Sequence, residues 1–272
     1  RLFPNSGRGL VNGPTPIAAN QLVYRVPYSC MLTSEHATTH PILGAFPDLI
    51  ADYKAETCLT LLLLYEVQHL DRSKWAPYLR QLLQFSSDDQ PLVVLTRQKK
   101  DYIFELIHRC PFQFQKMFNY HFLLRGDILN ECRRFLLKHS LGNTIDLNNR
   151  KFAWAYYAIC ARSIDLPEEE VVRKKSTSVS VVAPVNSSRL KIALIPFFDL
   201  INHSAKYRYF KKSLLSQPKA RYNVFTEQDT IAAHEQITFS YSPTLTNSTA
   251  LIHNGFICIQ SPLEVAGLEP VS

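Results

Sequence analysis

The sequence lacks the short motifs that mark the most common catalytic and phosphate-binding sites. It has no G-x-S-x-G turn, no G-x-x-x-x-G-K-[ST] loop, no G-x-G-x-x-G fingerprint and no H-E-x-x-H pair. Hydrolase and phosphate-loop functions therefore lose their best support.

Cysteines are few and no apolar run is long. The six cysteines occur singly, without C-x-x-C or paired spacing, which argues against a structural zinc site and a disulfide framework. We therefore expect no metal and a reducing compartment, the cytoplasm or the nucleus. The longest apolar run, residues 59–65, interrupted only by Thr60, falls far short of the ~20 residues that span a bilayer, so no membrane segment is predicted. The chain starts without Met or a signal pattern, and we expect a fragment boundary there.

The composition is that of a globular protein. Hydrophobic residues make up 46% and charged residues 19% of the 272 residues, which suits one large domain or a domain with an insertion. The net charge of +7 permits an acidic partner, but the basic residues are scattered and no nucleic-acid-binding motif accompanies them. We predict no direct nucleic-acid partner.

The apolar periodicity changes twice along the chain. Residues 1–50 read as short β segments punctuated by Pro and Gly, residues 51–165 show helical spacing, and β segments return over residues 189–260. The polar residues 166–188 predict a flexible loop, and residues 261–272 the start of a truncated C-terminal extension. Because a few N-terminal strands alone would be marginal, the two β regions should share one sheet system.

Three segments carry residues suited to chemistry: 6–10 (SGRGL), 198–204 (FDLINHS) and 235–241 (EQITFSY), the last followed by 254–256 (NGF). In this order they resemble the SET-domain protein methyltransferases, in the branch similar to the Rubisco large-subunit methyltransferase. The resemblance implies an α+β fold of small sheets with a pseudoknot, interrupted by a long helical insertion. It also implies an S-adenosyl-L-methionine-dependent protein-lysine N-methyltransferase acting on a histone or non-histone protein, and we expect a monomer.

The resemblance assigns the first segment and Arg162 to the cofactor. Ser6, Gly7 and Arg8 match the turn that wraps S-adenosyl-L-methionine in the family, and glycine lets backbone approach a ligand closely. Arg162 falls where the family has an arginine near the cofactor carboxylate, a group that guanidinium matches with two parallel hydrogen bonds.

The other two segments supply a cofactor pair and the catalytic residue. Asn202 and His203 resemble the family's Asn-His pair, which offers directed donors and acceptors without adding charge beside a sulfonium. Tyr241 resembles the catalytic tyrosine of the family. Methyl transfer to an amine is an in-line displacement, so catalysis depends on aligning a deprotonated nucleophile.

The substrate contacts include one departure from the family. Asp199 and Tyr222 fall where the branch places target-lysine contacts, but Asn254 stands where its lysine methyltransferases usually carry a tyrosine. A histidine-methylating member of the branch also lacks that tyrosine, so a protein-histidine N-methyltransferase is an alternative.

Two other positions favour lysine over histidine. Ile164 and Phe198 replace an asparagine and a tryptophan of the histidine-methylating relative, and Ile164 can line an aliphatic stem but cannot hydrogen-bond an imidazole. A third hypothesis is a catalytically weak SET-like binding module, for which Asn254 is the best support.

Overall fold

The computed structural model describes residues 2–3, 7–84, 104–105, 107–166, 191–204, 210–215, 221–226, 230–241, 250–252 and 254. The α-helices are α1 (His36–Thr39), α2 (Asp48–Asp52), α3 (Ala55–Gln68), α4 (Ala76–Leu82), α5 (Phe112–Lys138) and α6 (Asn149–Arg162). The strands are β1 (Leu2–Phe3), β2 (Gly7–Arg8), β3 (Leu10–Val11), β4 (Leu22–Pro27), β5 (Leu32–Thr33), β6 (Ser163–Asp165), β7 (Ile192–Leu194), β8 (Asn202–His203), β9 (Phe210–Leu215), β10 (Arg221–Thr226) and β11 (Gln236–Phe239). The predicted loop 166–188 and the extension 261–272 lie outside the described residues, apart from Leu166.

Strands from both ends of the chain share each three-stranded sheet. The orders are β4-β10-β9, β3-β11-β8 and β5-β7-β6, while β1 and β2 form an antiparallel pair. The predicted shared sheet system is therefore confirmed. Within the predicted β region 189–260, residues 230–232 form only a single bridge, between Ile17 and Ile231, since the Glu235 carboxylate accepts from the Ala232 N–H at 2.7 Å and closes a turn there.

The middle of the chain forms a helical core around α3. Residues 57–64 of this helix are all buried, as expected for a helix surrounded by other elements. It packs with α5 and α6 in one cluster that includes the fully buried Phe135 and Phe152. Helix begins earlier than predicted, because α1 lies within residues 1–50, the region expected to be β, and α2 begins there.

Helix α6 leads directly into β6, an outer strand of the β5-β7-β6 sheet. Its N-terminus is capped by Asn148, whose side-chain oxygen accepts from the Lys151 N–H at 2.9 Å. The helix ends at Arg162 and β6 begins at the next residue. Arg162 is therefore held at a junction between a buried helix and a strand.

The described helices include none with the length and apolar character of a membrane span.

Candidate functional site

The three segments singled out in the sequence meet in one sheet. β3 contains Leu10, β11 contains Ile237 and β8 contains Asn202 and His203. In the sheet, β11 lies between the other two strands, with Ile237 opposite Leu10 and Phe239 opposite His203. Segments separated by nearly the whole chain are thus adjacent in space.

The N-terminal turn is described only in part. Gly7 and Arg8 form β2, two residues before β3, while Ser6 lies outside the described residues. For Gly7 and Arg8 the backbone alone is described. Their assignment to the cofactor stays a prediction.

Arg162 and Asp199 form a buried ion pair at the centre of the site. The Arg162 Nη1 donates to the Asp199 backbone oxygen at 3.1 Å and lies 3.4 Å from its carboxylate Oδ2. The two side chains are 14% and 2% exposed. The guanidinium thus holds both the backbone and the carboxylate of Asp199.

A backbone outlier precedes Asp199. Phe197 has φ 66° and ψ −30°, in a region that non-glycine residues rarely adopt, and its side chain is 53% exposed. Such strain costs about 1–3 kcal/mol and clusters at functional sites. It initiates the single turn Phe198–Leu200 that turns Asp199 toward Arg162.

The Asp199 carboxyl is held at one oxygen and open at the other. The Tyr78 hydroxyl donates to Oδ2 at 3.2 Å, whereas the buried Oδ1 has no hydrogen-bond partner within the described part of the chain. Burial raises the pKa of Asp199 to about 6, although Arg162 and Tyr78 oppose the shift. A buried acceptor without a donor costs about 1–3 kcal/mol, which a ligand with an N–H group would relieve.

Tyr241 lies beside this pair as a neutral phenol. Its hydroxyl donates to the Ile201 backbone oxygen at 3.0 Å, and its ring lies 5.3 Å from that of His203. Burial raises the pKa of Tyr241 to about 12; Arg162 opposes this shift and Asp199 adds to it. The hydroxyl therefore keeps its proton at neutral pH.

His203 accepts a hydrogen bond from the backbone of Tyr241. The Tyr241 N–H donates to His203 Nδ1 at 3.2 Å, and burial lowers the pKa of the imidazole. A neutral ring with Nδ1 as acceptor carries its proton on Nε2. His203 and Asn202 lie in β8, which runs parallel to β11. The pseudoknot itself stays a prediction, because residues 242–249 lie outside the described chain.

Tyr222 is near the site but packs into its core. The side chain is fully buried in β10, and its ring lies 5.8 Å from that of Phe198. Burial raises the pKa of its hydroxyl, for which the described residues supply no hydrogen-bond partner. This second orphaned polar atom leaves a donor available to a ligand.

Asn254 and Ile164 lie at either side of the Arg162 junction. The Asn254 Nδ2 donates to the backbone oxygen of Ala161 at 3.3 Å, one residue before Arg162. Ile164 pairs with Ala193 in the β6–β7 ladder and packs against the apolar cluster to which Tyr241 also belongs. Both residues are thus brought to the site, and the substrate role of each stays a prediction.

Two tyrosines around Asp199, the buried Tyr78 and the half-buried Tyr24, were missed in the sequence. Tyr78 lies in the first turn of α4, and Tyr24 in β4 donates its hydroxyl to the backbone oxygen of Pro196. The only local signal near Tyr78 is the preceding Pro77, since proline is favoured in the first turn of a helix. Periodicity identifies a buried face but not the partner of a buried hydroxyl.

The described residues contain no group of three or more His, Cys, Asp or Glu side chains that could hold a metal ion. No disulfide joins any two of the described cysteines, which are Cys30, Cys58, Cys110, Cys132 and Cys160.

Comparison with known proteins identifies the fold. No protein-family model and no curated protein sequence matches the chain. Among solved structures, the SET domain of LSMT bound to methyllysine and AdoHcy matches 95% of this chain and 51% of its own, with a TM-score of 0.68 and 16% identity. Rubisco LSMT bound to sinefungin and monomethyllysine matches 96% of this chain and 51% of its own, with a TM-score of 0.65 and 17% identity.

The predicted fold class is thereby confirmed: this is a SET-domain fold, α+β, with small sheets and substantial helical content. The chain spans about half the length of the structures that it matches, 51% in both cases.

Proposed function

We propose that this chain is an S-adenosyl-L-methionine-dependent protein-lysine N-methyltransferase that acts on a histone or another protein, in the cytoplasm or the nucleus. The observation that carries the proposal is the protonated Tyr241 hydroxyl beside the buried Arg162–Asp199 pair, whose Oδ1 lacks a donor among the described residues. The solved neighbours with the same fold are LSMT structures bound to lysine or methyllysine and to AdoHcy, AdoMet or sinefungin.

The residues present fit S-adenosyl-L-methionine. We assign its binding to Asn202, His203, Arg162 and residues 6–8; the imidazole of His203 is neutral and adds no charge beside a sulfonium. The orphaned Asp199 Oδ1 suits an ammonium group, which both this cofactor and a lysine side chain carry. When bound, the cofactor supplies an electrophilic methyl group on its sulfonium.

The residues of the chain align the amine and keep the site dry. Tyr241 is held by hydrogen bonds at both its hydroxyl and its backbone N–H, so the phenol has a fixed direction for orienting an amine. The apolar cluster around it, with Ile164, Phe198 and Phe239, excludes water and accommodates an aliphatic stem. The amine must lose its proton before attack.

Two segments further support a relationship to one member of the branch. Residues 27–33 (PYSCMLT) and 75–79 (WAPYL) resemble SET domain-containing protein 4. We propose this relationship from the residues alone.

Two measurements on the full-length protein test the proposal. Calorimetry should find S-adenosyl-L-methionine binding, and ligand at 100 times its dissociation constant should stabilise the fold by about 2.7 kcal/mol. Radiolabelled methyl transfer to cell extract, followed by peptide mapping, should place the label on a lysine side chain. Absence of cofactor binding would overturn the methyltransferase assignment; binding without any transfer would favour the binding module.

Asn254 keeps histidine methylation as the second candidate. A polar amide bonded to the Ala161 oxygen occupies the place of an aromatic wall. The Asn254→Tyr variant should retain lysine methylation and restrict the number of methyl groups added, because the ring takes space beside the amine. Label on a histidine imidazole, abolished in Asn254→Tyr, would instead establish the histidine enzyme.

A further inference from the structure

We propose that Tyr78 is a positioning residue that fixes the Asp199 carboxylate with Oδ1 directed at an ammonium group of the ligand. The inference rests on the proposed function for the identity of that ligand. Through Tyr78, helix α4 of the helical region 51–165 thereby positions a residue of the site.

Tyr78 is held where its hydroxyl can reach the carboxylate. Helix α4 begins after Trp75, whose indole Nε1 donates to the Met31 backbone oxygen at 2.9 Å, and Pro77 lies in its first turn. The Tyr78 side chain is buried, and its hydroxyl donates to Asp199 Oδ2 at 3.2 Å. The indole contact thus ties the start of α4 to the β region.

The groups around Asp199 come from four elements and leave Oδ1 to a ligand. Arg162 at the end of α6 and Tyr78 in α4 bond to Oδ2, and Arg162 also bonds to the backbone oxygen. Tyr24 in β4 donates its hydroxyl to a backbone oxygen, and Tyr241 after β11 does the same. With both donors on Oδ2, the carboxyl cannot turn without breaking two contacts.

An aliphatic ammonium is the ligand chemistry that this arrangement fits. Oδ1 is a buried anionic acceptor, and the neighbouring phenols are neutral, so a compact N–H cation adds the missing donor and charge. Two molecules carry that group: the amino-acid part of S-adenosyl-L-methionine and the side chain of the target lysine.

The Tyr78→Phe variant tests the contact itself. Because the phenol donates to the ionised carboxylate, its removal should make Asp199 about a tenfold weaker acid, or about 1.4 kcal/mol. The measurement is a ¹³C NMR titration of aspartate carboxyl carbons, with the Asp199 signal assigned from Asp199→Asn. Tyr24→Phe is the matched control, since it removes a nearby hydroxyl that donates to a backbone oxygen, and it should change Asp199 less than threefold.

A second variant keeps the result interpretable if Tyr78→Phe does not fold. Incorporation of 3-fluorotyrosine at position 78 makes the phenol a stronger donor and should make Asp199 a stronger acid. An unchanged Asp199 titration with both side chains, or an equal effect of Tyr24→Phe, would overturn the proposal.

Ligand binding then separates the two ammonium sources. Tyr78→Phe should weaken S-adenosyl-L-methionine about tenfold and 5′-methylthioadenosine, which lacks the ammonium, less than twofold if the cofactor is the partner. If the target lysine is the partner, KM for the substrate peptide located by the peptide mapping should rise instead, most strongly between pH 6 and 7. Unchanged values for both ligands overturn the ligand role. The NMR titration needs no methyl transfer, so an inactive wild-type protein with the expected titration would refute the proposed function alone.

Discussion

A buried carboxyl in the helical block, residues 51–165, and the Asp199 carboxyl of the site have pKa values that shift in opposite directions. Glu66 in α3 bonds to His40 Nε2 at 3.3 Å, and its pKa is lowered: burial raises it, but hydrogen bonds from His40 and Ser73 outweigh that effect. Asp199 has an arginine partner, yet burial raises its pKa to about 6. Oδ1 of Asp199 is orphaned among the described residues, while the carboxyl of Glu66 is satisfied by its neighbours.

The difference separates a carboxyl that is satisfied within the fold from one that, under the proposed function, receives a ligand. Another helical carboxylate, Glu131, accepts from Thr57 Oγ1 at 2.5 Å and from the Lys54 N–H at 3.3 Å. Asp199 instead has an acceptor that no described residue satisfies, and the strained Phe197 lies two residues before it. Such local costs persist where function requires them.

The largest expected effect belongs to the helical block. Phe135 is fully buried, with rings of Phe46 and Tyr53 at 5.7 and 5.6 Å, so Phe135→Ala should destabilise the protein by about 3–5 kcal/mol. Urea unfolding measures this loss, and Leu137→Ala, at an 80% exposed position of the same helix, is the control. Cofactor affinity of the folded variant should stay unchanged. A large loss of affinity would show that the helical region and the site are not independent.

Asp199→Asn tests the cost of the site. A carboxyl whose folded pKa is raised from 3.8 to about 6 favours the folded state below pH 3.8 and loses that contribution as pH rises through about 6. Between pH 3.5 and 8, the free energy of unfolding of the variant should therefore rise by about 3 kcal/mol relative to that of the wild type. Unfolding measured over this range checks the trend, with the 98% exposed Asp71→Asn as control. A constant difference would contradict it.

Glu66→Gln should show the opposite trend. Because the folded pKa of Glu66 is lowered, its contribution is present above pH 4.5 and is lost as pH falls through the folded value. The variant should lose about 1.5–3 kcal/mol at pH 7 and approach the wild type in acid. Glu105→Gln, in an exposed pair with Arg109, controls for the surface. Equal losses at all pH values would show that packing, not charge, sets the effect.

Sequence patterns predicted the helical block and the three motif segments, but not the hydrogen bonds between buried side chains in the site. Apolar spacing predicted the helical region that contains α3, because such spacing is a local property of the sequence. The prediction of β structure was wrong where α1 and the start of α2 lie, because the packing of short segments overrides weak local preference. The Tyr78–Asp199 bond spans 121 residues, and no local pattern encodes such a pairing.

The smallest expected effect, in free energy, is the sharpest test of the site. Tyr241→Phe removes a hydroxyl bonded to the Ile201 oxygen at 3.0 Å, and the ring keeps its contacts with His203 and Phe239. Methyl transfer should fall at least tenfold, about 1.4 kcal/mol of transition-state stabilisation, because in the proposed function the hydroxyl orients the amine. Affinity for S-adenosyl-L-methionine should change less than twofold. Single-turnover transfer and calorimetry measure the two quantities, with Tyr156→Phe in the helical core as control, since that buried phenol bonds to Cys160 away from Asp199. Wild-type turnover in Tyr241→Phe would mean that Tyr241, like Tyr156, serves packing alone, and the contrast between the two regions would then rest on Asp199.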